Sequence, residues 1–275
     1  MAPLPIGVFD SGVGGLTVVK ALRDLLPDES IVYLGDTARV PYGSRSASTV
    51  ERYSVELTNM LLADGVKTIV VACNSASAVA LGTLEQILPV TVTGVIRPGA
   101  QAAIAATRTG HIGVIGTRAT IRSGAYERAL RELDPNIQIT SFACPLLVPL
   151  IEEGWLDDDL TDRIIAKYLE PLVQEGIDTL VLGCTHYPLL VPAIERVLGG
   201  KGVKLVDSAR NCAAAVGQLL DRQSLRAPSG SVGKLQVALT DAPDNFLRVA
   251  KEALQLEISD VEVREVLHER ATPLL

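Results

Sequence analysis

Asp178-Thr-Leu-Val-Leu-Gly-Cys-Thr-His-Tyr-Pro188 is an apolar run that ends in a glycine and opens into a polar turn. Leu180 to Leu182 has the unbroken hydrophobicity of a strand buried on both faces, as in parallel sheets covered by helices. Past Gly183 the turn carries Cys184, Thr185 and His186, and a helix is expected over Leu189 to Leu198. Upstream, Thr68-Ile-Val-Val-Ala-Cys-Asn-Ser75 is built the same way: an apolar strand, a small residue, a cysteine and two hydrogen-bonding side chains. Both cysteines therefore fall at the carboxyl end of a strand, where open α/β sheets place their ligands. Two like thiols on two like turns imply a site made from two facing halves.

The surrounding chain supplies those halves. Ile6 to Asp10 reads as a strand, and Ser11-Gly-Val-Gly-Gly-Leu-Thr17 as a glycine-rich turn. A helix then runs to Leu26, with Leu16, Val19, Leu22 and Leu26 at helical spacing. Strands are expected at Ile31–Leu34, Thr68–Ala72 and Val90–Val95, with a helix over Thr49–Asp64. Arg97-Pro98-Gly99 interrupts the pattern before helical Ala100–Ala106. At His111-Ile-Gly-Val-Ile-Gly-Thr117 it begins again. A helix at Ser123–Leu133, a strand at Ile137–Phe142 and a helix at Thr161–Glu175 lead to the strand of Cys184, and Val203–Val206 follows. From Asn211 a helix leads to a strand at Leu235–Leu239, a helix at Ala242–Leu254 and a strand at Val261–Val266.

The fold class expected is α/β: two pseudo-symmetric domains, each a mostly parallel sheet flanked by helices, with the active site in the cleft between them. The boundaries fall near Pro98 and Asp207. Residues 1–98 with 208–275 form a discontinuous first domain carrying Cys73, and residues 99–207 a second carrying Cys184.

Composition narrows the function. The chain has 275 residues, which suits two domains of ordinary size, and 48% of them are hydrophobic, enough for a sizeable core. A formal net charge of −7 argues against nucleic acid as a partner. Pro145, Pro149 and scattered charges keep every apolar run short of a bilayer span, so no membrane partner is expected. Met1 leads directly into the first strand without a basic segment and apolar stretch, so no secretory leader is expected. Cys73, Cys144, Cys184 and Cys212 do not make a disulfide framework, which points to the cytoplasm.

Cys144 and Cys212 need no role beyond that of small buried hydrophobes. Cys73 and Cys184 are different, because each follows a strand, precedes a helix and is trailed by Asn-Ser or Thr-His. At a helix start, peptide dipoles and free N–H groups favour thiolate, and an unperturbed thiol near pKa ~8.5 ionises little at neutral pH. His186 is either a satisfied structural histidine or an acid–base partner of Cys184. Asp10 either caps the glycine turn, ionises the first thiol or binds an ammonium. Glu152, in Pro149-Leu-Ile-Glu-Glu-Gly154, reads as a solvated helix residue.

The glycine turn is no dinucleotide fingerprint, since Thr17 occupies the last glycine position, and there is no Walker lysine. No Cys-x-x-Cys pair offers a zinc or redox site. A Cys–His hydrolase would leave the second cysteine turn unexplained. Hydroxyl and amide groups at Ser11, Ser44, Asn74, Ser75, Thr117, Thr120 and Thr185 can, with backbone N–H groups, cradle carboxylates.

Five motifs in order resemble those of the glutamate racemases, within the aspartate/glutamate racemase superfamily. They are Gly7-Val-Phe-Asp-Ser-Gly-Val-Gly-Gly-Leu16, Gly35-Asp-Thr-Ala-Arg-Val-Pro-Tyr-Gly43, Ala72-Cys-Asn-Ser-Ala-Ser-Ala78, Gly116-Thr-Arg-Ala-Thr120 and Gly183-Cys-Thr-His-Tyr-Pro188. The resemblance extends to about Asp207-Ser208. It implies a cofactor-independent racemase that interconverts L- and D-glutamate and supplies D-glutamate for peptidoglycan.

Cys73 would take the α-proton from D-glutamate and Cys184 from L-glutamate, as inversion needs one group to remove a proton and another to return one. Asp10 would assist Cys73, and His186 with Glu152 would assist Cys184. Asn74, Ser75 and Thr185 would hold the α-carboxylate and ammonium, with Ser11, Asp10 and His186 close by. Pro41, Tyr42, Gly43, Ser44, Thr117 and Thr120 would line the pocket around the side-chain carboxylate. No cofactor and no metal are implied, and a homodimer is expected. Ser75 stands where many members have Thr, and Arg97 where an acidic residue is more usual. The alternatives are a racemase for aspartate or another acidic amino acid, or a non-catalytic binding or inhibitor protein.

Overall fold

The computed structural model describes residues 3–242, 245–256, 258 and 260–266. The first part of the chain forms β1 (Ile6–Asp10), α1 (Leu16–Leu25), β2 (Ile31–Gly35), α2 (Ala47–Ala63), β3 (Thr68–Val71), α3 (Asn74–Val79), α4 (Leu81–Ile87) and β4 (Val92–Gly94). Next come α5 (Ile96–Ala106), β5 (His111–Gly116), α6 (Arg118–Ser123), α7 (Ala125–Leu133), β6 (Gln138–Ala143), α8 (Leu147–Glu152), α9 (Asp159–Gln174), β7 (Thr179–Gly183), α10 (Val191–Leu198) and β8 (Lys204–Asp207). The described remainder is α11 (Ser208–Arg222), β9 (Leu235–Leu239), α12 (Asn245–Arg248) and β10 (Val261–Val263).

Two sheets result, ordered β10-β9-β2-β1-β3-β4 and β6-β5-β7-β8, and every strand pairing in them is parallel. The runs β2-β1-β3-β4 and β6-β5-β7-β8 repeat one order, so β1 and β5, and likewise β3 and β7, hold equivalent places. The tail adds to the open edge of the first sheet, with β9 beside β2 and β10 beside β9.

Apolar sequence explains the layering. β1, β2, β3 and β7 are buried along their whole length, as strands covered by helices on both faces must be. One apolar cluster joins the sheets: Val8 and Val70 of the first and Val114 and Val181 of the second meet Leu22 of α1, Ala103 of α5 and Val216 of α11. Separate clusters cover the far faces, around Leu57 and Ile69 on one side and Leu169 and Leu180 on the other. Each such fully buried Val, Leu or Ile contributes about 1.5–3 kcal/mol.

Some boundaries depart from expectation. α5 begins at Ile96, not Ala100, because Pro98 lies in its first turn, where the missing N–H has no intrahelical partner to lose. The helix expected over Ser123–Leu133 is cut by Gly124, whose φ of +63° is a left-handed cap for α6. Val92–Gly94 is shorter than the expected strand. In the stretch Ala242–Leu254, positions 243 and 244 lie outside the described residues, and α12 passes into a π-helical turn at Val249–Ala253. The last strand stops at Val263. Among the described residues no helix is long and apolar enough to cross a membrane.

Candidate active site

The two inner strands of each half deliver a polar residue to the same place. Ser11 follows β1, Cys73 stands two residues beyond the end of β3, Thr117 follows β5 and Cys184 follows β7. All four line one cavity of about 140 Å³, room for a small solute and not for a dinucleotide. Asn74 and Ser75 continue the wall from Cys73, and Thr185 and His186 from Cys184. Pro41, Tyr42, Gly43 and Ser44 close one side, and Glu152 reaches in from the end of α8. Asp10 and Thr120, also expected here, lie behind the wall.

On the Cys73 side the chemistry is set by burial. The Cys73 thiol lies 3.7 Å from Ser11 Oγ, and its residue caps α3. Burial first, and the charge of Asp10 second, push this thiol up to about 12, against the help of the Ala76 N–H. The expectation that a helix start favours thiolate is thus overruled at Cys73. Asp10 itself accepts hydrogen bonds from Gly12 N at 2.9 Å and Gly15 N at 3.0 Å, so it does cap the glycine turn. Its carboxyl is raised by burial, which outweighs His186 and those N–H groups.

The glycine turn also touches the other thiol's turn. Thr17 Oγ1 donates to Thr185 O at 3.0 Å, and Thr185 Oγ1 reaches Asp10 Oδ1 at 3.5 Å. Gly14 is obligatory at this contact: a Cβ there would stand 2.3 Å from His186 Nδ1 and 2.5 Å from Thr185 Oγ1.

On the Cys184 side an imidazole bridges thiol and carboxylate. His186 Nδ1 lies 3.8 Å from Cys184 Sγ, and its Nε2 lies 3.2 Å from Glu152 Oε1. Burial works against a charged ring, but the hydrogen bonds and charges of Cys184 and Glu152 prevail and push His186 up to about 10. The reading of Glu152 as merely solvated is corrected, since α8 packs beside the 3₁₀ turn Tyr187–Leu190 and turns Glu152 to His186.

A hydroxyl cluster joins the halves. Ser75 Oγ is 2.9 Å from Thr117 Oγ1 and 3.4 Å from Thr120 Oγ1, and Thr117 caps α6 through Thr120 N at 3.2 Å. The Tyr42 hydroxyl turns away and donates to Asp36.

Val40 and Arg118, which stand inside two of the motifs but were given no role, and Pro145 and Val148, which stand outside them, also line the cavity. Cys144, read as plain core, lines it too. A signal for it existed: Cys144 follows β6 just as Cys184 follows β7. Among the described residues no group of three His, Cys, Asp or Glu side chains could hold a metal ion.

The family model of the Asp/Glu/hydantoin racemases matches residues 16–216. A glutamate racemase of Geobacter metallireducens is 49% identical over 259 residues, which are 93% of this chain and 94% of that one. Among solved structures, a glutamate racemase isoform of Bacillus anthracis superposes with a TM-score of 0.91 at 40% identity, covering 96% of this chain and 98% of that one. The Francisella tularensis glutamate racemase, solved in complex with D-glutamate, gives 0.90 at 35% identity, covering 97% and 99%. The chain belongs to the Asp/Glu/hydantoin racemase family, among its glutamate racemases.

Proposed function

We propose that the chain interconverts L- and D-glutamate by proton transfer at Cα between two thiols, without a cofactor, and so supplies D-glutamate for peptidoglycan. One observation carries this reading: two cysteines at equivalent strand ends of two like-ordered sheets line a single cavity. Inversion at a carbon needs a proton removed from one face and another delivered to the opposite face, and a matched pair of thiols supplies both. Glutamate as substrate is supported by the relatives, one of which was solved with D-glutamate.

In the L-to-D direction Cys184 is the base, with the His186 imidazolium as its counter-charge, and Cys73, which holds its proton at neutral pH, is the acid. In the D-to-L direction the roles exchange, with Asp10 behind Cys73. Asn74, Ser75 and Thr185 hold the α-amino and α-carboxylate groups, and Pro41 to Ser44 with Thr117 the distal carboxylate. Donors aimed at the α-carboxylate stabilise the carbanion where its charge collects, by about 3–4 kcal/mol per well-placed donor.

The described residues within 1–98 and 208–275, and residues 99–207, act as two domains whose closure on the substrate excludes water. A homodimer in the cytoplasm belongs to the same proposal, and light scattering of the purified protein measures it.

The test is incubation of purified protein with L-glutamate and no added cofactor. Optical rotation should decay to zero, and L-aspartate in a parallel reaction should keep its rotation. Cys73→Ser and Cys184→Ser should each slow the decay about 10²–10⁴-fold. Rotation that stays constant, or falls only when pyridoxal phosphate is supplied, rejects the proposal.

A further inference from the structure

Asn74 is 2% exposed, lines the cavity and directs its amide unevenly. Its Oδ1 accepts a 2.7 Å hydrogen bond from the Tyr126 hydroxyl, whereas its Nδ2, fully buried, has no hydrogen-bond partner among the described residues. A buried N–H₂ without a partner is costly, so native proteins seldom keep one unless a ligand or water meets it.

Tyr126 itself sits on α7 at 1% exposure, its ring packed in the core shared by the two sheets. A glycine makes room for that ring: a Cβ on Gly183, the residue before Cys184, would stand 3.1 Å from Cε2, tighter than ordinary contact. Phenylalanine would fill the same space, so packing alone gives no reason for the hydroxyl. We infer that Tyr126 is a positioning residue: its hydroxyl, reaching from the second sheet's half of the chain to the first, fixes the Asn74 amide with its NH₂ toward the substrate. Turned over, the amide would present its oxygen to an anionic ligand. The inference rests on the racemase reading in taking a glutamate carboxylate as the group that Asn74 meets.

A double-mutant cycle tests it, read both as kcat/KM for racemisation and as Kd for D-glutamate by calorimetry. Tyr126→Phe should lower kcat/KM and raise Kd about tenfold, the worth of one hydrogen bond to a charged group. In an Asn74→Ala background the same change should alter either quantity less than about twofold, since no amide remains to be oriented. Thermal midpoints of all four proteins show that each is folded. Equal effects in both backgrounds, or no effect on the wild type, overturn the inference. A wild type that binds D-glutamate but does not racemise it refutes the proposed function alone, and the Kd cycle still decides the role of Tyr126. A wild type that binds neither enantiomer overturns both.

Discussion

The two thiols differ before any substrate arrives. Cys73 is buried next to the charge of Asp10 and pushed up to about 12, while Cys184 faces an imidazole that Glu152 and Cys184 together push up to about 10. The histidine shift has a consequence for stability. A group whose pKa is raised by folding stabilises the native state fully below its unfolded value and loses that contribution as pH rises through its folded value. His186 rises from an ordinary 6.5 to about 10, so its charged interactions should stabilise the protein most below pH 6.5 and fade towards pH 10. The gap in melting temperature between wild type and His186→Gln should therefore shrink over that interval. A gap that grows with pH contradicts the assigned hydrogen bonds. The cysteine pair and His186 were legible because each sits in a short polar turn after an apolar strand. The ionisation of Cys73 was not, because it depends on burial and on an aspartate from a different strand, neither of which local sequence encodes.

At the scale of elements, the glycine turn between β1 and α1 is the contact that holds the Cys184 turn in place. Gly14→Ala would put a methyl group 2.3 Å from His186 Nδ1, the nitrogen that faces Cys184. The ring must then move, and displacement of a catalytic group by about 1 Å costs about 10²-fold in rate. Gly14→Ala should accordingly lower kcat/KM by about 10²-fold and return the His186 titration, followed by NMR, towards its ordinary range. Unchanged kinetics would show that the turn yields freely. The long helices and buried strands were readable from their periodicity, and the glycine turn from its composition. α4, α6 and α8 span only six or seven residues, under two turns, which is too short for a periodic signal. In α8 the residue itself was legible, as a helix residue that the resemblance pairs with His186, but no periodicity showed that the end of this short helix carries it there.

For the whole molecule, the repeated strand order β2-β1-β3-β4 and β6-β5-β7-β8 is what gives each half its own cysteine at an equivalent strand end. The repeat was legible as two successions of strand, turn and helix. The common core was not: the helices that fill it, α1, α5 and α11, come from distant parts of the chain and meet only on folding. That arrangement makes the division of labour between halves the central claim, and the fate of hydrogen at Cα tests it directly. L-Glutamate with protium at Cα is turned over in D₂O and stopped at low conversion, and both enantiomers are analysed by mass. If one half removes hydrogen and the other returns it, the D-glutamate formed carries deuterium while the remaining L-glutamate keeps protium. Protium retained in the newly formed D-glutamate would mean that a single group both takes and returns the hydrogen, and would contradict a base on each half.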